Sequence, residues 1–178
     1  MTIEEYLEFE REALEKHEFV DGQLLQLTPS TVRHALISAN ACGSISRQTE
    51  ATCFANCLRV LVVPGSFIAY PDMSALVGKI ATNAANDVLL NPTFLLEVVS
   101  PKTVEHDRGF KAFLYREMPS VQEFLLVDEL SVFVDRYTRQ TDRSWIITNF
   151  QSLDDVNRLQ SLGCSVAVSE FYHKIEML

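Results

Sequence analysis

Six consecutive residues, Phe94-Leu95-Leu96-Glu97-Val98-Val99, set one carboxylate inside an otherwise apolar run. A run this uniformly apolar reads as a strand covered on both faces. An unpaired carboxylate there costs several kcal/mol, so Glu97 has to be ion-paired, protonated or bound to a cation. A structural ion pair, or a glutamate at an exposed strand end, satisfies the same rule. The segment by itself therefore marks a constraint and leaves its purpose open.

The rest of the chain reads as alternating helices and strands. Thr2 and Glu5 form a capping box that opens a helix to about Leu14. Two strand-like runs, His17–Val20 and Gln23–Leu27, flank Asp21-Gly22, a two-residue hairpin signal. A second helix runs from about Pro29 to Gln48, with Val32, Leu36, Ala39 and Cys42 on one stripe. Leu58–Val63, Tyr70–Val77 (opened by Pro71) and Thr93–Val99 read as strands, and the polar stretch from Lys79 to Asn91 as a loop. A third helix is expected from about Asp107 to Met118. Strands at Glu123–Val127, Val132–Thr138 and Trp145–Phe150 then form a meander. No linker or repeat divides the sequence, so the expectation is one α/β domain over 1–178 with a mixed sheet.

Two further features bear on Glu97. Asp72 lies near the start of a second apolar strand, and two carboxylates on neighbouring strands suit a hard cation such as Mg²⁺. On the third helix, Asp107, Lys111 and Tyr115 fall at i, i+4 and i+8. Phe110, Phe113 and Leu114 form the adjacent stripe, expected to pack on the sheet and leave Lys111 at its edge. A plain surface ion pair between Asp107 and Lys111 explains that spacing equally well.

The quoted segments, taken in order, resemble the PD-(D/E)XK nuclease superfamily, and more closely the Uma-type putative restriction endonuclease family. The resemblance is carried by His17-Glu18-Phe19-Val20-Asp21-Gly22, Arg33-His34, Tyr70-Pro71-Asp72 and Glu97-Val98-Val99-Ser100-Pro101-Lys102-Thr103. It continues through Asp107-Arg108-Gly109-Phe110-Lys111, Tyr115 and Pro119-Ser120-Val121-Gln122-Glu123-Phe124-Leu125-Leu126-Val127. It implies a restriction-endonuclease-like mixed β-sheet flanked by helices. It also implies cleavage of DNA with Mg²⁺, or Mn²⁺, held by Asp72 and Glu97. The superfamily lysine normally follows the glutamate by two residues, where this chain has Val99. The resemblance assigns that role to Lys111, with Lys102 the weaker candidate. Glu18 matches the acidic residue that an early element contributes to many such sites. Two copies acting together would suit a double-strand cutter.

Charge and composition temper this. The net charge of −9 repels phosphate at long range, so DNA binding needs a local basic surface. Arg33, Arg47, Arg59, Lys102, Arg108, Lys111 and Arg116 are its candidates. Two other classes remain: a nuclease fold serving as a scaffold without activity, and a metal-dependent hydrolase of small phosphate esters. The acidic start lacks a signal-peptide pattern, and no apolar run approaches the ~20 residues of a membrane span. With four scattered cysteines, Cys42, Cys53, Cys57 and Cys164, that fits buried, reduced thiols in a cytoplasmic protein. His34 suits a structural role or a DNA contact. His17 and His106 have no metal-ligand spacing, and His173 is expected at the surface. Trp145 reads as a core residue, and Tyr115 as a packing residue or a contact of the site.

Overall fold

The computed structural model describes residues 1–176. Helix α1 (Ile3–Glu12) starts from the expected capping box, Thr2 Oγ1 accepting from Glu5 N and Glu5 accepting from Thr2 N. Strands β1 (His17–Val20) and β2 (Gln23–Gln26) form the Asp21-Gly22 hairpin, in which both turn residues have positive φ, 46° and 85°. Helix α2 (Val32–Gln48) is capped by Thr31 and followed by β3 (Thr52–Ala55) and β4 (Arg59–Val63).

The single strand expected from Tyr70 to Val77 is instead two. Strand β5 (Phe67–Ala69) belongs to one sheet and β6 (Met73–Leu76) to another, with Tyr70-Pro71-Asp72 crossing between them. Proline lacks the N–H a ladder needs, so Pro71 marks the change of sheet rather than a strand's start. The expected loop holds the short β7 (Val88–Leu89), and β8 (Phe94–Val99) follows. The third helix begins as a π-helical turn (His106–Lys111) and continues as α3 (Ala112–Glu117). The meander is β9 (Glu123–Asp128), β10 (Val134–Arg139) and β11 (Trp145–Phe150). A hairpin, β12 (Val156–Leu159) with β13 (Cys164–Ala167), and the short α4 (Val168–Phe171) complete the described fold.

There are thus two larger sheets where one was expected. Five strands run β2-β1-β5-β4-β7, and six run β11-β10-β9-β8-β6-β3. Within the second, β8 and β9 are parallel, joined by the π-turn and α3, while β6 pairs with β8 antiparallel. Every residue of β8 is buried, and its two faces enter different cores. Phe94, Leu96 and Val98 pack with Ile37, Ala41 and Ile45 of α2 and with the C-terminal hairpin and α4. Leu95 and Val99 meet Ala112 and Tyr115 and the apolar side of the five-stranded sheet, including Val60 and Phe67. A third small core, Tyr6, Phe19 and Ile68, seats α1 on that sheet's other face. No helix among the described residues is long and apolar enough to cross a membrane. All four cysteines are free, but Cys57 is exposed and the others are only half-buried.

Candidate functional site

Alternation along β8 puts Glu97 on the same side as Leu95 and Val99, facing the inter-sheet core. The register that pairs Met73 with Leu96 brings Asp72 opposite Glu97 at the next step. The crossing at Pro71 therefore delivers one carboxylate beside the other from a separate strand. Asp72 is held by both oxygens. Oδ2 accepts from Val98 N at 2.8 Å, and Oδ1 lies 2.9 Å from His34 Nε2.

Lys111 arrives from the opposite side. Its Nζ is 2.8 Å from Glu18 Oε1, 3.1 Å from Glu97 Oε1 and 3.6 Å from Asp107 Oδ1. Tyr115 Oη donates to Glu97 Oε1 at 2.5 Å. His106 Nε2 lies 3.0 Å from Glu18 Oε2, and Tyr70 N donates to Glu18 Oε1 at 3.3 Å. Three buried carboxyl groups, Glu18, Glu97 and Asp107, thus surround one lysine, and a fourth, Asp72, stands opposite Glu97. Lys102 is exposed, on the turn after β8.

The helix stripes are turned the other way from expectation. Asp107 and Lys111 are each 4% exposed and Tyr115 is fully buried, while Phe110 is 36% and Phe113 55% exposed. Of the apolar stripe, Leu114 packs against the inter-sheet core and Phe110 touches its margin at Phe67, while Phe113 faces outward. The reason is electrostatic: Glu18 and Glu97 lie under this helix and need a cation, and the only long cationic side chain on that stripe is Lys111. The π-turn, with Ala112 N donating to Asp107 O, sets the phase of the helix that achieves this.

The charges respond to each other. Burial by itself would raise the Glu18 pKa, but the Lys111 charge and hydrogen bonds from His106 and Lys111 hold it down at about 2. For Glu97, burial prevails over the pull of Lys111. With the nearby charges of Asp107, Asp72 and Glu18 it drives the pKa up to about 8. Burial also raises Asp107, against Lys111. Lys111 is held protonated: burial works against its charge, but Glu18, Glu97 and Asp107 outweigh it. Burial likewise opposes protonation of His34, and the hydrogen bond and charge of Asp72 more than offset that, so its pKa is raised.

This donor set fits a hard cation. Mg²⁺ takes oxygen ligands and is usually held through one or two carboxylates with waters completing its shell. Asp72 and Glu97 offer such oxygens from facing positions, in surroundings with more acid than fixed base. Among the described residues no three His, Cys, Asp or Glu side chains stand grouped as a ready-made cage. Glu18 meets Lys111 at one oxygen and His106 at the other.

Sequence reasoning missed the bonds of His34 and His106 to two of these acids. Neither has a periodic partner in the chain, because each contact joins elements far apart in sequence. The i, i+4, i+8 stripe did carry a signal for Tyr115, which contacts Glu97 as well as packing. His173 is exposed, as expected, and Trp145 is a partly buried neighbour of the inter-sheet core. The candidate basic surface is largely consumed internally. Arg59 binds Asp87, Arg108 binds Asp135, and Arg33 donates to the backbone oxygens of Glu129 and Leu130.

Comparison with known proteins places the fold and its lineage. A crystal structure described as a putative nuclease belonging to DUF820, from Anabaena variabilis, superposes with a TM-score of 0.78. It covers 97% of each chain at 18% identity and shares the fold. Two uncharacterized proteins of Synechocystis sp. are similar in sequence. One is 31% identical over 97% of this chain and 91% of its own, the other 28% identical over 83% and 86%. The model of the Uma2 family, described as "Putative restriction endonuclease", matches residues 3–169. With that match running from α1 to the C-terminal helix, the chain belongs to the Uma2 family.

Proposed function

We propose that this chain is a metal-dependent endonuclease that hydrolyses phosphodiester bonds of DNA, with Asp72 and Glu97 as the metal-holding pair and Lys111 acting beside them. One observation carries the reading. A buried carboxylate at the crossing just before β6 stands opposite a second on β8, and a lysine from the following helix reaches 3.1 Å from the latter. A Mg²⁺ or Mn²⁺ ion in that position supplies Lewis-acid polarisation of a phosphoryl oxygen and makes water a stronger acid.

The chain's own groups do the rest. Lys111 carries a fixed positive charge where negative charge grows in the transition state, and it can orient the attacking water. Glu18, Asp107 and Tyr115 hold that ammonium and Glu97 in place, so little reorganisation is needed at the moment of reaction. The family's description, "Putative restriction endonuclease", supports DNA as substrate. The reading places the protein in the cytoplasm, where free thiols persist, and a pair of copies would cut both strands.

The test is cleavage of plasmid DNA with Mg²⁺ or Mn²⁺. Asp72→Ala and Lys111→Ala are each expected to abolish it in folded protein, and undiminished cutting by either would sink the assignment. Calorimetric titration with Mg²⁺ should show binding that disappears in the Asp72→Ala/Glu97→Ala double variant.

A second reading, a nuclease fold acting as an inert scaffold, is favoured by the −9 charge and by the internal use of Arg33, Arg59 and Arg108. It predicts a melting temperature indifferent to Mg²⁺.

A further inference from the structure

We infer that His34 is the positioning residue of the metal site, fixing the carboxylate of Asp72 from helix α2; this rests on the metal-dependent reading above. A carboxylate held at one oxygen can still swing about its Cβ–Cγ bond. Asp72 is gripped at both, by Val98 N at 2.8 Å on Oδ2 and by His34 Nε2 at 2.9 Å on Oδ1. Two donors from different elements set the plane of the group. An ionised carboxylate offers about four lone-pair sites, so two remain for an ion on the side of Glu97. Because the ionised Asp72 can only accept, Nε2 of His34 carries the proton. That nitrogen is therefore spent on Asp72 and is not itself a metal ligand.

His34 is in turn built in rather than attached loosely. Its side chain is 15% exposed, and its backbone N donates to the Thr31 cap at 3.0 Å. The neighbouring Arg33 donates to Glu129 O at 2.6 Å, Leu130 O at 3.2 Å and Glu176 O at 2.9 Å. Thr31 Oγ1 donates to the Glu129 carboxylate. The first turn of α2 is thus clamped to the β9–β10 connection, and the imidazole reaches Asp72 from a fixed base. Groups that orient metal ligands in this way commonly account for about 10–100-fold in metal affinity. The sequence allowed His34 a structural role or a DNA contact; the bond of its ring nitrogen to Asp72 favours the first and ties it to the site.

The experiment is calorimetric titration of Mg²⁺ and Mn²⁺ into wild type, His34→Ala, His34→Asn and His34→Gln, with melting curves to confirm folding. His34→Ala is expected to weaken metal binding by about 10–100-fold. His34→Gln, whose amide can still reach Oδ1 as a donor, should keep most of the affinity. His34→Asn, too short to reach, should behave like alanine while keeping a polar group, and decides the matter if the alanine variant does not fold. In single-turnover cleavage the defect should appear in the metal concentration required, with DNA affinity in chelator unchanged. Unchanged metal affinity in a folded His34→Ala, or a loss of DNA affinity in chelator, overturns the positioning role while leaving the nuclease reading intact. A wild type that binds neither ion, with or without DNA, removes that reading and this inference together.

Discussion

The two faces of strand β8 are equally buried and built on opposite principles. On one, Phe94, Leu96 and Val98 meet α2 through apolar contacts alone. On the other, Leu95 and Val99 flank Glu97, which draws Lys111 and Tyr115 inward and stands opposite Asp72. Apolar burial stabilises by about 25 cal/mol per Å², whereas a buried ion network often returns no more than its desolvation cost. The first face holds the sheet together; the second is tolerated because the first is there. Its excess of carboxylate over base has no stabilising use, which is why the functional reading falls on that side.

If the faces differ in this way, their failures should differ too. Lys111→Ala strands three acids without their cation and is expected to cost about 3–5 kcal/mol in urea denaturation. Leu96→Ala should cost about 2–5 kcal/mol by opening a cavity in the α2 core. The distinction lies in combination. Lys111→Ala with Leu96→Ala should add to within about 0.5 kcal/mol, because the sheet separates them and they share no partner. Lys111→Ala with Glu97→Gln should cost less than the sum, since the two side chains contact each other and the first change has already removed the partner that the second would lose. Strong coupling between Leu96 and Lys111 would mean that the faces are not independent.

A smaller and more selective effect comes from pH, in the absence of divalent ions. Glu97 has a folded-state pKa of about 8 against an ordinary 4.5, so the folded protein holds a proton that the unfolded chain releases between those values. Stability from this group is fully present below pH 4.5 and is lost as pH rises through 8, at up to about 1.4 kcal/mol per pH unit. Glu18 acts in the other direction: held at about 2, its contribution is present above pH 4.5 and lost as pH falls toward 2. Denaturation at several pH values should show the upper slope flatten in Glu97→Gln. Leu96→Ala, on the apolar face, should lower the curve without changing its shape. An unchanged slope in Glu97→Gln would show that Glu97 is not the proton holder.

How much of this was legible beforehand follows from the kind of signal each part leaves. The α1 capping box, the Asp21-Gly22 hairpin, β8 and the β9–β11 meander rest on local rules, and all are present. Glu97 betrayed itself because a charge in an apolar run violates such a rule. The division of Tyr70–Val77 between two sheets did not show, because sheet membership depends on partners distant in sequence. Strand β3, Thr52–Ala55, and the hairpin after Phe150 went unseen because short half-exposed strands have little periodicity. His34 and His106 reach the site only through tertiary contact. The third helix was recognised as a helix, yet its buried face was misjudged. Hydrophobic periodicity favours burying Phe110 and Phe113, and it cannot register the greater need of Glu18 and Glu97 for a cation.

That misjudged face supplies the smallest expected effect. If the helix is oriented by charge, Phe113 contributes little to the core despite its size, being 55% exposed. Phe113→Ser should then change stability by about 0.5 kcal/mol or less, as surface substitutions do. Were the apolar stripe instead packed on the sheet, the same change would remove a buried aromatic ring and cost about 3–5 kcal/mol. Phe110 is a weaker probe, because its ring lies 5.2 Å from that of Phe67 and stacks on His106 at 5.3 Å. The Phe113 measurement by urea denaturation therefore separates the two orientations by several kcal/mol. A large loss would turn Lys111 away from Glu97 and return the charged face of β8 to an unpaired state that its burial does not permit.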